Sequence, residues 1–166
     1  MDLELLDWLN TYTFPQEARY EDTEFAKEAY SIFTEDMKKS PNTRACIFGT
    51  LHVPATEILM EQLDKTGIKA MVGKVNMDRN GGENLCEADA SAAAEDTKKW
   101  IEETAGKYER TNPILTPRFI PSCTDELMRE LAKLQKTTGL RVQSHLSENP
   151  SEVAWVKELV LSLIHI

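Results

Sequence analysis

Cysteine is scarce in this sequence, and no two cysteines lie close together. The three cysteines, Cys46, Cys86 and Cys123, are an odd number and are widely spaced. The absence of a CxxC pair argues against a cysteine zinc knuckle, and scattered thiols are typical of a reducing compartment rather than of a disulfide scaffold. We therefore expect a cytoplasmic protein without structural disulfides.

Long apolar runs, a basic N-terminus and an excess of positive charge are also missing. No run is long enough to cross a bilayer, and the acidic first residues lack the basic start of a signal peptide. Lys and Arg together number 19 against 28 Asp and Glu, which gives a net charge of -9. A negative surface repels phosphate backbones, so we expect neither a membrane nor nucleic acid as a partner.

A phosphate-binding loop is absent as well, since the sequence contains no GxGxxG and no P-loop pattern, which weakens the case for a nucleotide-binding sheet. What is present is a chain of 166 residues of which 41% are hydrophobic. This length and composition are typical of one globular domain with its own core.

Strand-like and helix-like segments alternate along the chain. Buried strands are predicted over residues 44–51, 69–77, 113–119 and 140–142. Helices are predicted over residues 2–10, 21–39, 56–66, 87–108 and 124–138, followed by one that starts at Asn149 and Pro150. The alternation implies parallel strands joined by helical crossovers, and it leaves two closures open, a doubly wound sheet or a barrel.

Several helix boundaries and faces follow from single residues. Pro15 is expected to end the first ordered segment, Thr56 and Thr124 to cap helices, and Gly139 to end the helix that Thr124 begins. Helical spacing predicts that the second helix buries its apolar residues, which are Phe25, Ala29, Ile32, Phe33 and Met37.

Residues 142–149 hold the most reactive side chains of the chain. His145 and Glu148 follow a predicted strand and precede the helix that Asn149 caps, with Glu152 placed as in a capping box. In α/β folds, catalytic groups gather at this end of the strands. Without further context, a histidine at the position of His145 is more often a hydrogen-bonded core or surface residue. A glutamate at the position of Glu148 is more often a solvated carboxylate that the helix dipole favours.

Five stretches occur in the order and spacing of a known family. They are residues 5–15, 48–52, 72–78, 115–123 and 143–149. Through them the chain, from about residue 2 to residue 159, resembles the guanine deaminases of the amidohydrolase superfamily. The resemblance implies a (β/α)8 barrel, which takes ~250 residues. We therefore expect an internal fragment of a barrel, about strands 2 to 5 with their helices, in residues 1–160. Residues 161–166 depart from the pattern, and a foreign origin of this tail is one hypothesis.

The resemblance also implies a zinc centre. The family takes a His-x-His pair from the first barrel strand, one histidine each from the fifth and sixth, and an aspartate from the eighth. His145 matches the fifth-strand ligand, and the other ligands have no match here. His165 is not counted, because it lies too close to His145 for a full strand–helix–strand unit. Catalytic zinc usually takes three protein ligands, so the fragment alone is expected neither to hold zinc nor to react.

The activity that the resemblance implies is hydrolysis of guanine to xanthine and ammonia. Glu148 matches the carboxylate that transfers protons, and Arg118 and Phe119 match substrate contacts. The residues expected to bind substrate are Arg118, Phe119, His145, Leu146, Ser147 and Glu148. Trp8 is a further candidate for the pocket wall. The resemblance implies a homodimer for the parent protein.

Two other functions remain open. The chain fits another aminohydrolase of the superfamily, acting on a pterin, a triazine or a different base, and it fits a non-catalytic α/β binding domain. The small zinc deaminases are excluded, because they need His-x-Glu and Pro-Cys-x-x-Cys. Here the spacing is His-x-x-Glu, and Pro121-Ser122-Cys123 has no second cysteine.

Overall fold

A computed structural model of the chain describes residues 4–82 and 85–160. The predicted tail at residues 161–166, with His165, lies outside the described residues. The described part is a mixed α/β structure with parallel strands. None of its helices is long and apolar enough to span a bilayer.

The chain begins with a helical segment that runs past Pro15. Helix α1 (Leu5–Trp8) is followed by a π-helical turn (Leu9–Thr13), helix α2 (Phe14–Ala18) and a 3-10 turn (Arg19–Glu21). The prediction that order ends at Pro15 is wrong. Pro15 lies in the first turn of α2, directly after the π-helical turn that Phe14 closes by donating its backbone N–H to the Leu9 carbonyl oxygen. We call residues 5–21 the N-terminal helical segment.

Helix α3 (Thr23–Lys39) is confirmed, but its buried face is not the predicted one. Ala26, Tyr30 and Thr34 are buried against α4, whereas Ile32 is 62% exposed and Phe33 38% exposed. Alanine and threonine permit a close approach of the two helices. The Thr34 hydroxyl donates to the Tyr30 carbonyl oxygen at 2.8 Å, so its burial leaves no polar group unsatisfied.

The remaining helices are α4 (Val53–Asp64), α5 (Ala90–Thr104), α6 (Asp125–Thr138) and α7 (Pro150–Val160). Helix α4 starts three residues before Thr56, so the predicted cap is wrong. Instead, the Thr56 hydroxyl donates to the carbonyl oxygen of Thr50 at 3.0 Å. The prediction for α6 is confirmed, because Thr124 accepts from the Leu127 amide and Gly139 ends the helix with a positive φ of 70°.

The strands are β1 (Arg44–Phe48), β2 (Lys69–Gly73), β3 (Val75–Asn76), β4 (Thr111–Pro113) and β5 (Thr116–Pro117), all paired in parallel. Two of the predicted strands are each divided, into β2 with β3 and β4 with β5. The predicted strand at residues 140–142 is reduced, in the described residues, to one parallel bridge between Leu115 and Val142. The strands lie side by side in chain order, and no reversal as in a doubly wound sheet is seen among them.

The sheet is strongly curved. Gln143 directly follows Val142, which occupies the fourth strand position. Its side chain donates to the Ile47 carbonyl oxygen of β1 at 3.1 Å and to Thr116 Oγ1 at 3.0 Å. In a flat sheet these outer positions would lie about 14 Å apart, at ~4.8 Å per strand. Gly73 lies between them, and a Cβ there would collide with Thr116. One face of the sheet is therefore concave and crowded.

Two apolar clusters hold the elements together. The larger lies between the sheet and its helices and includes Trp100, Leu59, Met60 and Leu127. The smaller lies at the carboxyl ends of the strands, where Leu9 and Phe14 of the N-terminal helical segment join residues of β3 and of the loops that follow β3 and β5. Its buried members are Leu9, Phe14, Val75, Met77, Leu85 and Phe119. This second cluster borders the candidate site, since Leu9 and Phe119 belong to both.

Candidate functional site

Four of the predicted site residues line one cavity at the carboxyl ends of the strands. The cavity has a volume of about 320 Å³, and its wall is formed by Leu5, Trp8, Leu9, Thr13, Arg118, Phe119, His145 and Glu148. One side of the wall comes from the N-terminal helical segment. The other comes from the residues after β5 and from the loop before α7. Trp8, a further candidate, is part of the wall.

His145 is oriented by the carbonyl group of Arg118. Its Nδ1 lies 2.9 Å from that oxygen, and its backbone N–H donates to the same oxygen at 2.9 Å. A carbonyl oxygen only accepts, so Nδ1 is the donor in this contact, and in the neutral imidazole Nε2 then keeps its lone pair. Nε2 has no hydrogen-bond partner among the described residues. The Phe48 ring packs against the imidazole with a centroid distance of 4.1 Å. This tautomer is the one found in histidines that bind a metal through Nε2.

Arg118 is buried and is fixed by groups of the N-terminal helical segment and of the strand end. Its Nη1 donates to Glu17 Oε2 at 2.6 Å, and Met77 Sδ lies 3.7 Å from the same nitrogen. The guanidinium carbon lies 4.8 Å from the centre of the Phe14 ring. Burial raises the pKa of the Glu17 carboxyl, and the Arg118 guanidinium opposes that rise.

Phe119 is buried in the smaller apolar cluster and offers a ring face as part of the cavity wall. Leu146 and Ser147 are exposed and are not among the residues that line this cavity. Ser147 has a positive φ of 56°, which is uncommon outside glycine. The loop thus turns sharply between His145 and Glu148, and the substrate contacts expected of Leu146 and Ser147 stay predictions.

The Glu152 side chain fixes the loop before α7 through hydrogen bonds to the loop backbone. Asn149 Oδ1 accepts from the Glu152 backbone N–H at 2.7 Å, which confirms the predicted cap. The Glu152 carboxylate does not return to the Asn149 amide, as a capping box requires. Instead it accepts from the backbone N–H groups of Ser147 at 3.2 Å and of Glu148 at 2.5 Å. The Glu148 carboxylate itself has no hydrogen-bond partner among the described residues and is available to a substrate.

The described residues contain no group of three or more His, Cys, Asp or Glu side chains placed to hold a metal ion. His145 fits a zinc site as a single ligand, because its Nδ1 is held by a backbone carbonyl and its Nε2 is free within the described residues. His52 lines a different cavity and does not join it.

A buried ion pair beside the site has no counterpart in the sequence prediction. Lys74 is 1% exposed and contacts the Glu87 carboxylate, which also accepts from the Met77 backbone N–H at 2.9 Å. The Asn76 side chain donates to the same carboxylate and to Thr97 Oγ1 at 2.7 Å. Burial raises the pKa of Glu87, and the Lys74 ammonium opposes the rise. This network interrupts the strand between β2 and β3, and it fixes the strand end that carries Met77.

Sequence comparison relates the chain to the amidohydrolase family and to guanine deaminases. The Amidohydrolase family matches residues 1–163. Guanine deaminase of Rattus norvegicus is 44% identical over 160 residues, which are 96% of this chain and 35% of that protein. Guanine deaminase of Escherichia coli K12 is 37% identical over 157 residues, 94% of this chain and 35% of that protein. The chain therefore spans about 35% of the length of these relatives.

Structure comparison gives the same relationship. The crystal structure of guanine deaminase from C. acetobutylicum, with guanine bound in its active site, has a TM-score of 0.91 and 47% sequence identity over 95% of this chain and 38% of that one. An adenosine deaminase from Xanthomonas campestris, solved with bound zinc, has a TM-score of 0.77 at 17% identity, which shows a shared fold.

Proposed function

Because this chain belongs to the amidohydrolase family, we propose that it is the substrate-binding and proton-transferring part of a guanine deaminase. The whole protein would hydrolyse guanine to xanthine and ammonia. The observation that supports this most is the meeting of Arg118, Phe119, His145 and Glu148 around one cavity. These four residues come from two separate loops, and each matches a role that the reaction needs.

The cavity suits a flat base with acceptors along one edge. Phe119 and Trp8 offer apolar ring surfaces on which a purine can rest. The guanidinium of Arg118 presents N–H donors that match O6 and N7 of guanine. These contacts bind the base and set its orientation, and they leave the carbon that bears the amino group to face His145 and Glu148.

Zinc fits this proposal through His145, whose Nε2 is the atom that would hold the ion. A bound zinc ion would supply Lewis acidity, which lowers the pKa of water toward ~7. Glu148 takes a proton from the attacking water and delivers it to the ring nitrogen, and it then assists departure of the amino group as ammonia. The Arg118 carbonyl keeps the imidazole in the required tautomer throughout.

We further propose that the chain is about strands 2 to 5 of a (β/α)8 barrel. The parallel strands in chain order and the curvature that brings Gln143 to Ile47 support this. A catalytic zinc ion usually needs three protein ligands. We therefore expect the 166-residue chain alone to bind zinc weakly and to leave guanine unchanged. The homodimeric state and the cytoplasmic location of the whole protein stay predictions.

The test is a substrate panel on the full-length protein that contains this chain, loaded with zinc. Guanine, a pterin, a triazine and adenine are supplied separately, and ammonia release is measured. Guanine as the preferred substrate is the expected result. Preference for the pterin or the triazine would assign another aminohydrolase, and the absence of ammonia release from any of them would favour a binding domain.

A further inference from the structure

The N-terminal helical segment supplies a charged partner to the substrate-binding arginine. Glu17 and Phe14 lie three residues apart on α2, so both project toward the same side of the helix. Both contact the Arg118 guanidinium, Glu17 at 2.6 Å from Nη1 and Phe14 at 4.8 Å from its ring centre. The side chains of the ion pair are only 10% and 13% exposed. A charged hydrogen bond that is sheltered in this way is stronger and more directional than one at the surface.

The contacts of Arg118 use one end of its guanidinium. A guanidinium carries five N–H donors in one plane. Among the described residues, the Arg118 side chain makes its hydrogen bonds to Glu17 and to Met77 Sδ, and both involve Nη1. Within the described ranges, Nε and Nη2 have no partner. These two nitrogens form one edge of the group, which can donate two parallel hydrogen bonds to neighbouring acceptors of a purine.

Glu17 contacts Arg118 from outside the cavity. Arg118 lines the cavity of about 320 Å³, whereas Glu17 is not among its lining residues. Resting on the proposed guanine deaminase function, we propose that Glu17 is a positioning residue, which holds Nη1 of Arg118 so that Nε and Nη2 face the acceptor edge of guanine. Glu17 also neutralises the guanidinium, which suits a substrate that is an uncharged base. Without Glu17, the same guanidinium is free to swing and attracts anions.

The experiment uses the full-length protein with the variants Glu17→Gln, Glu17→Asp and Glu17→Ala. Glu24→Gln is the matched control, because Glu24 undergoes the same chemical change on an exposed helix surface, where its side chain is 79% exposed. For Glu17→Gln we expect the KM for guanine to rise about 10-fold with kcat changed much less, since the arginine binds substrate and transition state alike. Glu17→Asp keeps the charge and is expected to recover part of the loss.

Two further readouts separate positioning from a merely structural role. Urate, a purine that is anionic at neutral pH, should inhibit Glu17→Gln more strongly than it inhibits the wild type. In an Arg118→Met background, Glu17→Gln should add no further change in KM, because the two residues act as one unit. An unchanged KM with a lower kcat and a lower melting temperature would overturn the inference.

The outcome also distinguishes this inference from the function on which it rests. A wild type that releases no ammonia from guanine refutes the proposed function itself. A wild type that is active, with Glu17→Gln indistinguishable from Glu24→Gln in KM and in urate inhibition, leaves the function standing and overturns the role of Glu17. A raised KM that Glu17→Asp partly restores establishes it.

Discussion

The carbonyl oxygen of Arg118 accepts two hydrogen bonds from His145, one from the backbone nitrogen and one from Nδ1, each at 2.9 Å. One peptide group therefore joins the residue that we assign to substrate binding with the residue that we assign to the metal. A shift of the backbone at Arg118 would move both functions together. Through this backbone group, two residues from separate loops keep a fixed geometry.

Replacement of His145 should remove zinc from the full-length protein. In His145→Asn the site loses the imidazole nitrogen that is oriented toward the ion, so we expect zinc content to fall. Guanine turnover should drop by more than the about 10- to 100-fold that follows loss of an outer-sphere partner. His52→Asn is the control, because His52 lines a separate cavity. Metal analysis of the two purified variants gives the answer, and full zinc content in His145→Asn would contradict the assignment.

Replacement of Glu148 should affect the chemical step rather than binding. Glu148→Gln preserves size and hydrogen-bonding capacity but cannot accept the proton of water. We expect kcat to fall by about 100- to 10,000-fold with little change in KM. Glu126, an exposed glutamate in the first turn of α6, provides the matched Glu→Gln control. Steady-state kinetics measure both, and a kcat within twofold of the wild type would exclude Glu148 as the proton carrier.

The buried pair Lys74–Glu87 should be sensitive to loss of one partner alone. Glu87→Gln leaves the Lys74 ammonium buried without a counter-charge, so the free energy of unfolding should fall by about 3 kcal/mol. Glu102→Gln breaks an exposed pair with Lys98 at 3.8 Å and should cost less than about 1 kcal/mol. Urea unfolding compares the two. The double change Lys74→Met with Glu87→Gln should regain most of the loss, and no recovery would contradict this account.

The Glu17 carboxyl should impose a pH dependence on stability. Burial raises its pKa above the ordinary value of 4.5, so the folded protein holds this proton more tightly than the unfolded chain does. The stability that this provides is full below pH 4.5 and is lost as pH rises through the folded-state pKa. Unfolding free energies of the wild type and of Glu17→Gln should therefore differ by an amount that falls over this interval and is constant above it. Parallel curves would contradict the shift.

Local sequence signals predicted the parts of the fold that local energetics decide. Thr124 and Gly139 delimit α6 because capping and a left-handed turn depend on the residues nearby. The loop with His145 and Glu148 was predicted correctly between the strand position at Val142 and the helix that Asn149 caps, because that cap is also a local signal. The inward face of α3 was not, since Ile32 is as apolar as a core residue and only the packing on α4 selects Ala26 and Tyr30 instead.

Long-range ion pairs account for what the sequence could not predict. Glu17 and Arg118 are 101 positions apart, and no spacing rule connects two such charges. Lys74 interrupts a strand that its apolar neighbours predict to be continuous, because Glu87 compensates its burial from the next loop. Glu87 was predicted as the first residue of a helix, and the structure places it in the loop before α5. In both cases tertiary structure gives a charged side chain a buried partner that no local pattern indicates.

The π-helical turn at Leu9–Thr13 has a geometrical consequence for the whole N-terminal helical segment. Such a turn accommodates one residue more than an ordinary α-helical turn, and it occurs frequently at functional sites. If the same five residues were wound as ordinary α-helix, Trp8 would rotate by about 100° relative to Phe14 and Glu17, because the extra residue would add its own angular step. The aromatic wall and the anchor of the arginine would then point in different directions. The winding of residues 9–13 therefore decides whether Trp8 and Arg118 line the same cavity.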